Sequence, residues 1–259
     1  TDMLTGDVDI AGEPLNTFYS YRFKGLSSVD GSPIFYGAED ELQEELSKKY
    51  NNMEREDVFL EVMERSGRRE PYLQGGISNY LGYRNFGLSF NLAYSLGNKI
   101  RLLKLCTEYG TTNPHPSSNL RREFVNRWRK PGDEAFTDIP RLEANEFDDA
   151  VFYPYPSNGT MYNNSDLRTV KGDFVRLQNI SLSYDLNLQK LLDLGIQNIR
   201  FMLQGNNLHV WKNSKLKGQD PEATGAIMKY GSTSSANVSF GNTYLPLSRT
   251  YSFSLSVQF

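Results

Sequence analysis

The sequence predicts an all-β chain of long antiparallel strands belonging to a transmembrane β-barrel. Three observations predict it. In the closing stretch TYSFSLSVQF, Tyr251, Phe253, Leu255, Val257 and Phe259 alternate with Ser252, Ser254, Ser256 and Gln258. That is the period of a strand with one apolar face. The other face is small, polar and uncharged, where the solvated face of a soluble sandwich would carry Lys and Glu. Finally, the strand-like segments run about 10–14 residues, against ~5–6 in globular proteins and ~9–11 for a tilted membrane strand.

Residues 12–37 mix aromatic strand-like pieces with turn signals at Asp30-Gly31 and Ser32-Pro33. Residues 38–66 contain no Pro or Gly and repeat Leu42, Leu46 and Tyr50 at four-residue spacing, which predicts a helix stopping at Gly67. Residues 1–71 as a whole read as a loop region carrying that helix. Residues 72–82 and 84–97 form a hairpin turning at GYRN. In its second arm Phe86, Leu88, Phe90, Leu92, Tyr94 and Leu96 alternate with small or polar residues. The stretch 98–171 is irregular and rich in proline. Strands return at 173–186 and 197–209, joined by the compact stretch 187–197. A second long loop, 212–247, precedes the last strand, 248–259. The connections therefore alternate short and long, as the two rims of an outer-membrane barrel do. Tyr80, Tyr83, Phe86, Tyr184 and Phe259 gather toward the short-turn rim, the depth that amphipathic rings favour.

Composition excludes several classes. Basic residues number 28 against 31 acidic, a net charge of −3, so there is no basic excess to hold nucleic acid. One cysteine, Cys106, permits neither an internal disulfide nor a cysteine metal cluster, and His115 and His209 lack ligand spacing. No apolar run approaches the ~20 residues of a spanning helix. The opening TDMLTGDVDI has no signal-peptide pattern, so an exported protein would present it as a mature chain or a fragment. The strand count supports a fragment. Five strands leave two open edges, which lipid does not tolerate, and a bacterial single-chain barrel has an even number from about eight upward. On this reading the C-terminus lies at the periplasmic rim, and residues 1–71 with both long loops lie outside the cell.

Four ordered segments sharpen the reading. GDFVRLQNISLSYDLN, NIRFMLQGNNLHVW, GQDPEA and PLSRTYSFSLSVQF resemble the C-terminal end of SusC/RagA-type TonB-dependent outer-membrane transporters of Bacteroidota. GEPLNTFYSYRFKGLSSVDGSPIF and YLQGGISNYLGYRNFGLSF resemble earlier segments of the same family. The resemblance covers about 12–97 and 172–259. It implies the C-terminal strands of a large transmembrane β-barrel, with long extracellular loops and one short extracellular helical segment. It also implies import of oligosaccharides or oligopeptides, a SusD-like surface lipoprotein as lid, and TonB as the energy source. The remaining barrel, the plug and the TonB contact lie outside these residues.

Candidate contacts follow from the loops. Trp128, Tyr153, Tyr155, Trp211, Tyr230 and Tyr244 fall in predicted outer loops. Such rings stack on sugars, anchor peptides, meet a partner, or pack loop on loop. Asp220-Pro221-Glu222 reads as a turn, a contact to the lid, or two oxygen ligands for Ca²⁺. Tyr251, Phe253, Leu255, Val257 and Phe259 read together as the assembly signal that a closing strand presents. The clustered Arg121, Arg122, Arg127, Arg129 and Lys130 read as salt-bridging to nearby acids or lipopolysaccharide rather than nucleic-acid binding. No nucleophile–base pair, phosphate loop, metal site or cofactor motif is present, so the chain reads as a non-enzyme. The alternative class is a soluble all-β, lectin-like module using its loop aromatics. An oligomeric barrel with strands from each chain is a third reading.

Overall fold

The computed structural model describes residues 2–7, 10–105, 120–142, 158–186, 195–222 and 247–259. They divide into two compact units. One is built from described residues of Thr1–Arg69 and Lys99–Val170, the other from those of Glu70–Asn98, Lys171–Ala226 and Thr243–Phe259.

The first unit opens with α1 (Asp2–Thr5), β1 (Thr17–Tyr21), β2 (Phe23–Leu26) and β3 (Pro33–Phe35). It continues with α2 (Gln43–Tyr50), α3 (Arg55–Val62) and β4 (Met63–Arg68). β1 pairs antiparallel with β4, and β2 with β3. The predicted single helix over 38–66 is therefore two short helices and a strand. Asn51 and Asn52 divide the helices, and the Asn52 amide donates to Lys48 O at 2.8 Å. Such local bonds compete with the helical ladder. Met63–Arg68 is extended because it pairs with the buried strand β1, a tertiary demand that overrides helix propensity. Tyr19, Tyr21, Phe35, Tyr50, Val58, Val62, Met161 and Tyr162 are among the core residues of this unit.

The second unit is a five-stranded antiparallel sheet. Its strands are β5 (Leu73–Tyr83), β6 (Phe86–Leu96), β9 (Phe174–Leu186), β10 (Asn198–Lys212) and β11 (Thr250–Gln258). Between β6 and β9 in sequence, the short strands β7 (Lys99–Arg101) and β8 (Thr169–Lys171) pair with each other. The sheet order is β11-β10-β9-β6-β5, so β5 and β11 are its edges. β5 and β6 are joined by the two-residue turn Arg84-Asn85, with Arg84 at φ +52°. At ~3.4 Å per residue, the eleven residues of β6 extend roughly 34 Å. Tilted by the ~35–45° usual in membrane barrels, they span about the 25 Å apolar band.

The register sorts the side chains. One row joins Tyr83, Phe86, Tyr184, Phe201 and Leu255, and the next joins Leu81, Leu88, Leu182, Leu203 and Phe253. Cross-strand partners share a face, so these rows form one apolar surface. Serines 89, 181, 183, 252, 254 and 256 fall on the other. Tyr80 also pairs with Ser89 on the polar face, opposite the face that holds Tyr83, Phe86 and Tyr184. Its ring lies over Gly82 and Gly87, and a Cβ at Gly87 would sit 2.8 Å from its hydroxyl.

β9 contains a phase slip. Ile180, Leu182, Tyr184 and Leu186 hold the apolar face on even numbers, whereas Leu177 and Val175 hold it on odd ones, opposite Leu92 and Tyr94. Gln178 has no partner on either side, and β10 accommodates it with unpaired Asn207 and Leu208, Asn207 at φ +52°. The bulge keeps Arg176 on the polar face while Val175 and Leu177 stay on the apolar one. Deleting Gln178 removes the extra residue and leaves simple alternation, with Arg176 still on the polar face and Val175 and Leu177 on the apolar one. The expected result is a folded, heat-modifiable barrel that assembles as the native one does. Gln178→Ala, which keeps the backbone bulge, assembles normally.

Candidate functional site

The candidate site is the sheet itself, a wall with two chemically opposed faces. On the apolar face Phe253 is 67% exposed and Leu203 is 56% exposed. A soluble sandwich would cover these residues with a second layer, and among the described residues none covers them. Among the described residues no helix is long and apolar enough to cross a membrane, and strands are the other spanning element. Aromatic rings mark both ends of the apolar surface. Phe86 and Tyr184 pack with ring centroids 4.7 Å apart at the short-turn end, and Tyr94 and Trp211 flank Val175 at the other.

The polar face is a hydrogen-bonded ladder. Ser89 and Ser181 hydroxyls lie 2.7 Å apart across β6 and β9. Asn206 Oδ1 accepts from Asn179 Nδ2 at 2.8 Å and Gln204 Nε2 at 3.1 Å, while its Nδ2 donates to Thr250 Oγ1 at 2.9 Å. One amide thus connects β9, β10 and β11. Nearer the short-turn end, Arg200 grips Asp185 through Nε at 2.5 Å and Nη2 at 2.9 Å.

At the long-loop end, Arg176 of β9 is buried on the polar face. Its guanidinium pairs with Asp220, lies 2.5 Å from Glu222 Oε2 through Nε, and stands over the Phe174 ring. This cluster contains the Asp220-Pro221-Glu222 turn. Asp220 is 3% exposed and its carboxylate also accepts from the backbone N–H of Glu222. Glu222 is exposed at the surface.

The sequence-selected aromatics separate in the same way. Trp128 is 7% exposed. Its indole N–H donates to Glu134 Oε2 at 3.0 Å, and its ring lies against Gly31, whose φ is +72° and where a Cβ would sit 2.4 Å away. The neighbouring Asp30 carboxyl belongs to the same corner. Burial alone would raise its pKa, but hydrogen bonds from Ser27 and Ser32 and the nearby Arg141 hold it below the ordinary aspartate value. Trp211 is in β10 rather than a loop. It is 53% exposed on the apolar face, edge-on to His209 at 4.6 Å between centroids. Tyr153, Tyr155, Tyr230 and Tyr244 lie outside the described residues. Tyr251, Phe253, Leu255 and Val257 share the apolar face of β11, and Phe259 follows it.

Sequence reasoning missed Arg176 and Asn206. A cation between two apolar residues in VRL signals a strand position aimed at a polar interior, which requires an acid elsewhere. The run RLQN breaks the alternation and marks the bulge.

No family model matches the chain. The TonB-dependent receptor P3 of Formosa agariphila is 26% identical over 254 residues, covering 96% of the chain and 22% of that receptor. The chain is thus similar to a TonB-dependent receptor over nearly its whole length. A second receptor of that organism, P26, is 27% identical over 191 residues, covering 73% of the chain and 17% of its own length. The chain thus spans about a fifth of the length of these receptors. The fold is also similar to part of a solved structure. The RagAB peptide importer in its closed-closed state matches 97% of the chain with a TM-score of 0.59 at 18% identity, covering 25% of that chain. Its open-open state matches 83% of the chain, and 21% of its own, with a TM-score of 0.51 at 20% identity. The location is the bacterial outer membrane, where the apolar face meets lipid.

Two substitutions on adjacent residues read the two faces. In the full receptor, Leu203→Arg on the apolar face should destabilise the folded barrel by roughly 2–3 kcal/mol. Gln204→Arg on the polar face should cost less than about 1 kcal/mol. Urea titration of receptor folded into lipid vesicles measures both. In the other unit, Trp128→Ala removes a buried ring and should cost about 3–5 kcal/mol. Limited proteolysis should show faster cutting within 120–142 while the barrel remains heat-modifiable.

Proposed function

We propose that the chain is the C-terminal barrel portion of a TonB-dependent transporter that imports oligosaccharides or oligopeptides together with a SusD-like surface lipoprotein. The observation that carries this reading is the two-faced sheet. Its apolar surface suits lipid, and its open edges suit pairing with the rest of a barrel. The polar ladder would then line the lumen around a plug, and TonB would act through parts of the receptor beyond these residues. The role is transport, with no catalytic step assigned to any residue here.

The long-loop end would face outward and provide the substrate and lid contacts. Trp211 and Glu222 are exposed there, and Tyr153, Tyr155, Tyr230 and Tyr244 join them as candidates. Trp128 and Asp220, both buried, would serve by holding their loops in shape. The alternating residues of β11 with Phe259 would present the assembly signal.

An affinity-tagged full receptor should fractionate with the outer membrane and retain a SusD-like lipoprotein in mild detergent. Deleting its gene, or the gene for TonB, should abolish uptake of either a labelled oligopeptide mixture or a labelled oligosaccharide mixture. Recovery in the soluble periplasmic fraction, or uptake of both mixtures independent of TonB, contradicts the proposal.

A further inference from the structure

The segment following β10 lacks regular structure yet is anchored by buried residues. Leu216 is fully buried, and Gln219, Asp220 and Pro221 are buried with it. Its backbone closes on itself, with Leu216 N donating to Asn213 O and Gln219 N to Leu216 O, both at 3.0 Å. Lys212 Nζ, at the end of β10, donates to Gln219 O. The Asp220 carboxylate fastens this segment to two further strands. Oδ1 accepts from Arg176 Nη2 of β9 and from Glu222 N at 3.1 Å, and Oδ2 accepts from Leu247 N, three residues before β11, at 3.4 Å. Arg176 and Asp220 side chains are each 3% exposed. Charges so enclosed are held only when fully partnered, and removing one strands the other.

We infer that Asp220 is a positioning residue. With Arg176 it clamps Asn213–Glu222 to the polar face as a fixed part of the wall and sets the point where the chain joins β11. The inference rests on the transporter reading for its setting at the outer end of the lumen, where the clamped segment forms a rigid lip beside the substrate path. Its chemistry is internal to β9, β10 and β11. The lip stays in place through the import cycle, and any loop movement pivots outside it.

Limited trypsin digestion of the full receptor in outer-membrane vesicles tests the clamp. Lys215 and Lys217 are exposed, so only the fixed backbone protects the bonds that follow them. A protease needs a locally opened chain, and cutting follows the population of that open form. The native receptor should resist cleavage at both sites. Asp220→Asn, isosteric but uncharged, should be cut at least tenfold faster while still migrating as a heat-modifiable barrel. The paired change Arg176→Met with Asp220→Leu removes both buried charges, so the barrel tolerates it, but it offers no acceptor to the N–H groups of Glu222 and Leu247. It should also be cut at least tenfold faster, and a nitroxide at Lys217→Cys should give a sharper, more mobile line shape in both variants than in the native background. Native-like resistance in either assembled variant, or rapid cleavage of the native receptor, overturns the clamp. If Asp220→Asn fails to assemble, the paired variant decides alone. Failure of the transporter reading would show earlier, as absence of the receptor from the outer-membrane fraction before trypsin is added.

Discussion

A strand in lipid must satisfy two conditions at once. Every backbone N–H and C=O must be paired, because hydrocarbon offers no substitute partner. Every residue must also commit its side chain to lipid or to the interior, because alternate residues point opposite ways. The five-stranded sheet is organised by the second condition. From Tyr83 through Phe86, Tyr184 and Phe201 to Leu255, each cross-strand row is apolar on one face. The polar residues between these rows bond to one another across the strands. The first condition governs the edges: β5 and β11 each present an unpaired side, which in the barrel is taken by further strands.

The same constraint explains the irregular places. Arg176 must face inward to reach Asp220, yet Val175 and Leu177 beside it must face lipid, as must Ile180, Leu182 and Tyr184. Simple alternation cannot serve both groups, since Leu177 and Ile180 are three residues apart. The unpaired Gln178 absorbs the difference. Small residues next to large rings solve a related problem. Gly87 leaves room for Tyr80 on the polar face, and Gly75 for Tyr94 on the apolar one.

Much of this was legible in the residues because strand periodicity is a local signal. The alternation in Phe86–Leu96 and in Tyr251–Phe259 named both the strands and their lipid faces before any pairing was known. The helix over 38–66 was misread in extent because Met63–Arg68 is extended by its partner strand β1, which no local pattern reports. Trp211 was read as a loop residue because the bulge at Asn207-Leu208 hides the continuation of β10. Asp220 was legible as a turn residue, but its partner Arg176 is 44 residues away in sequence, and only the fold brings the two together. Trp128 was selected as an outer-loop ring, with ligand contact, partner contact and loop-on-loop packing all open. Its burial depends on Gly31, a residue that sequence showed only as part of a turn.

The central claim is that alternate residues of one continuous wall meet lipid and a wetted interior, with one change of phase in β9. Site-directed spin labelling of the full receptor in lipid vesicles measures this directly. Nitroxides placed singly along Phe174–Leu186 report collision with oxygen, which concentrates in lipid, and with a water-soluble nickel chelate. The account predicts oxygen-favoured collisions at 175, 177, 180, 182, 184 and 186, chelate-favoured collisions between them, and the shift from odd to even at Gln178. Uniform values along the strand, or an alternation that runs through 178 without a shift, would contradict it.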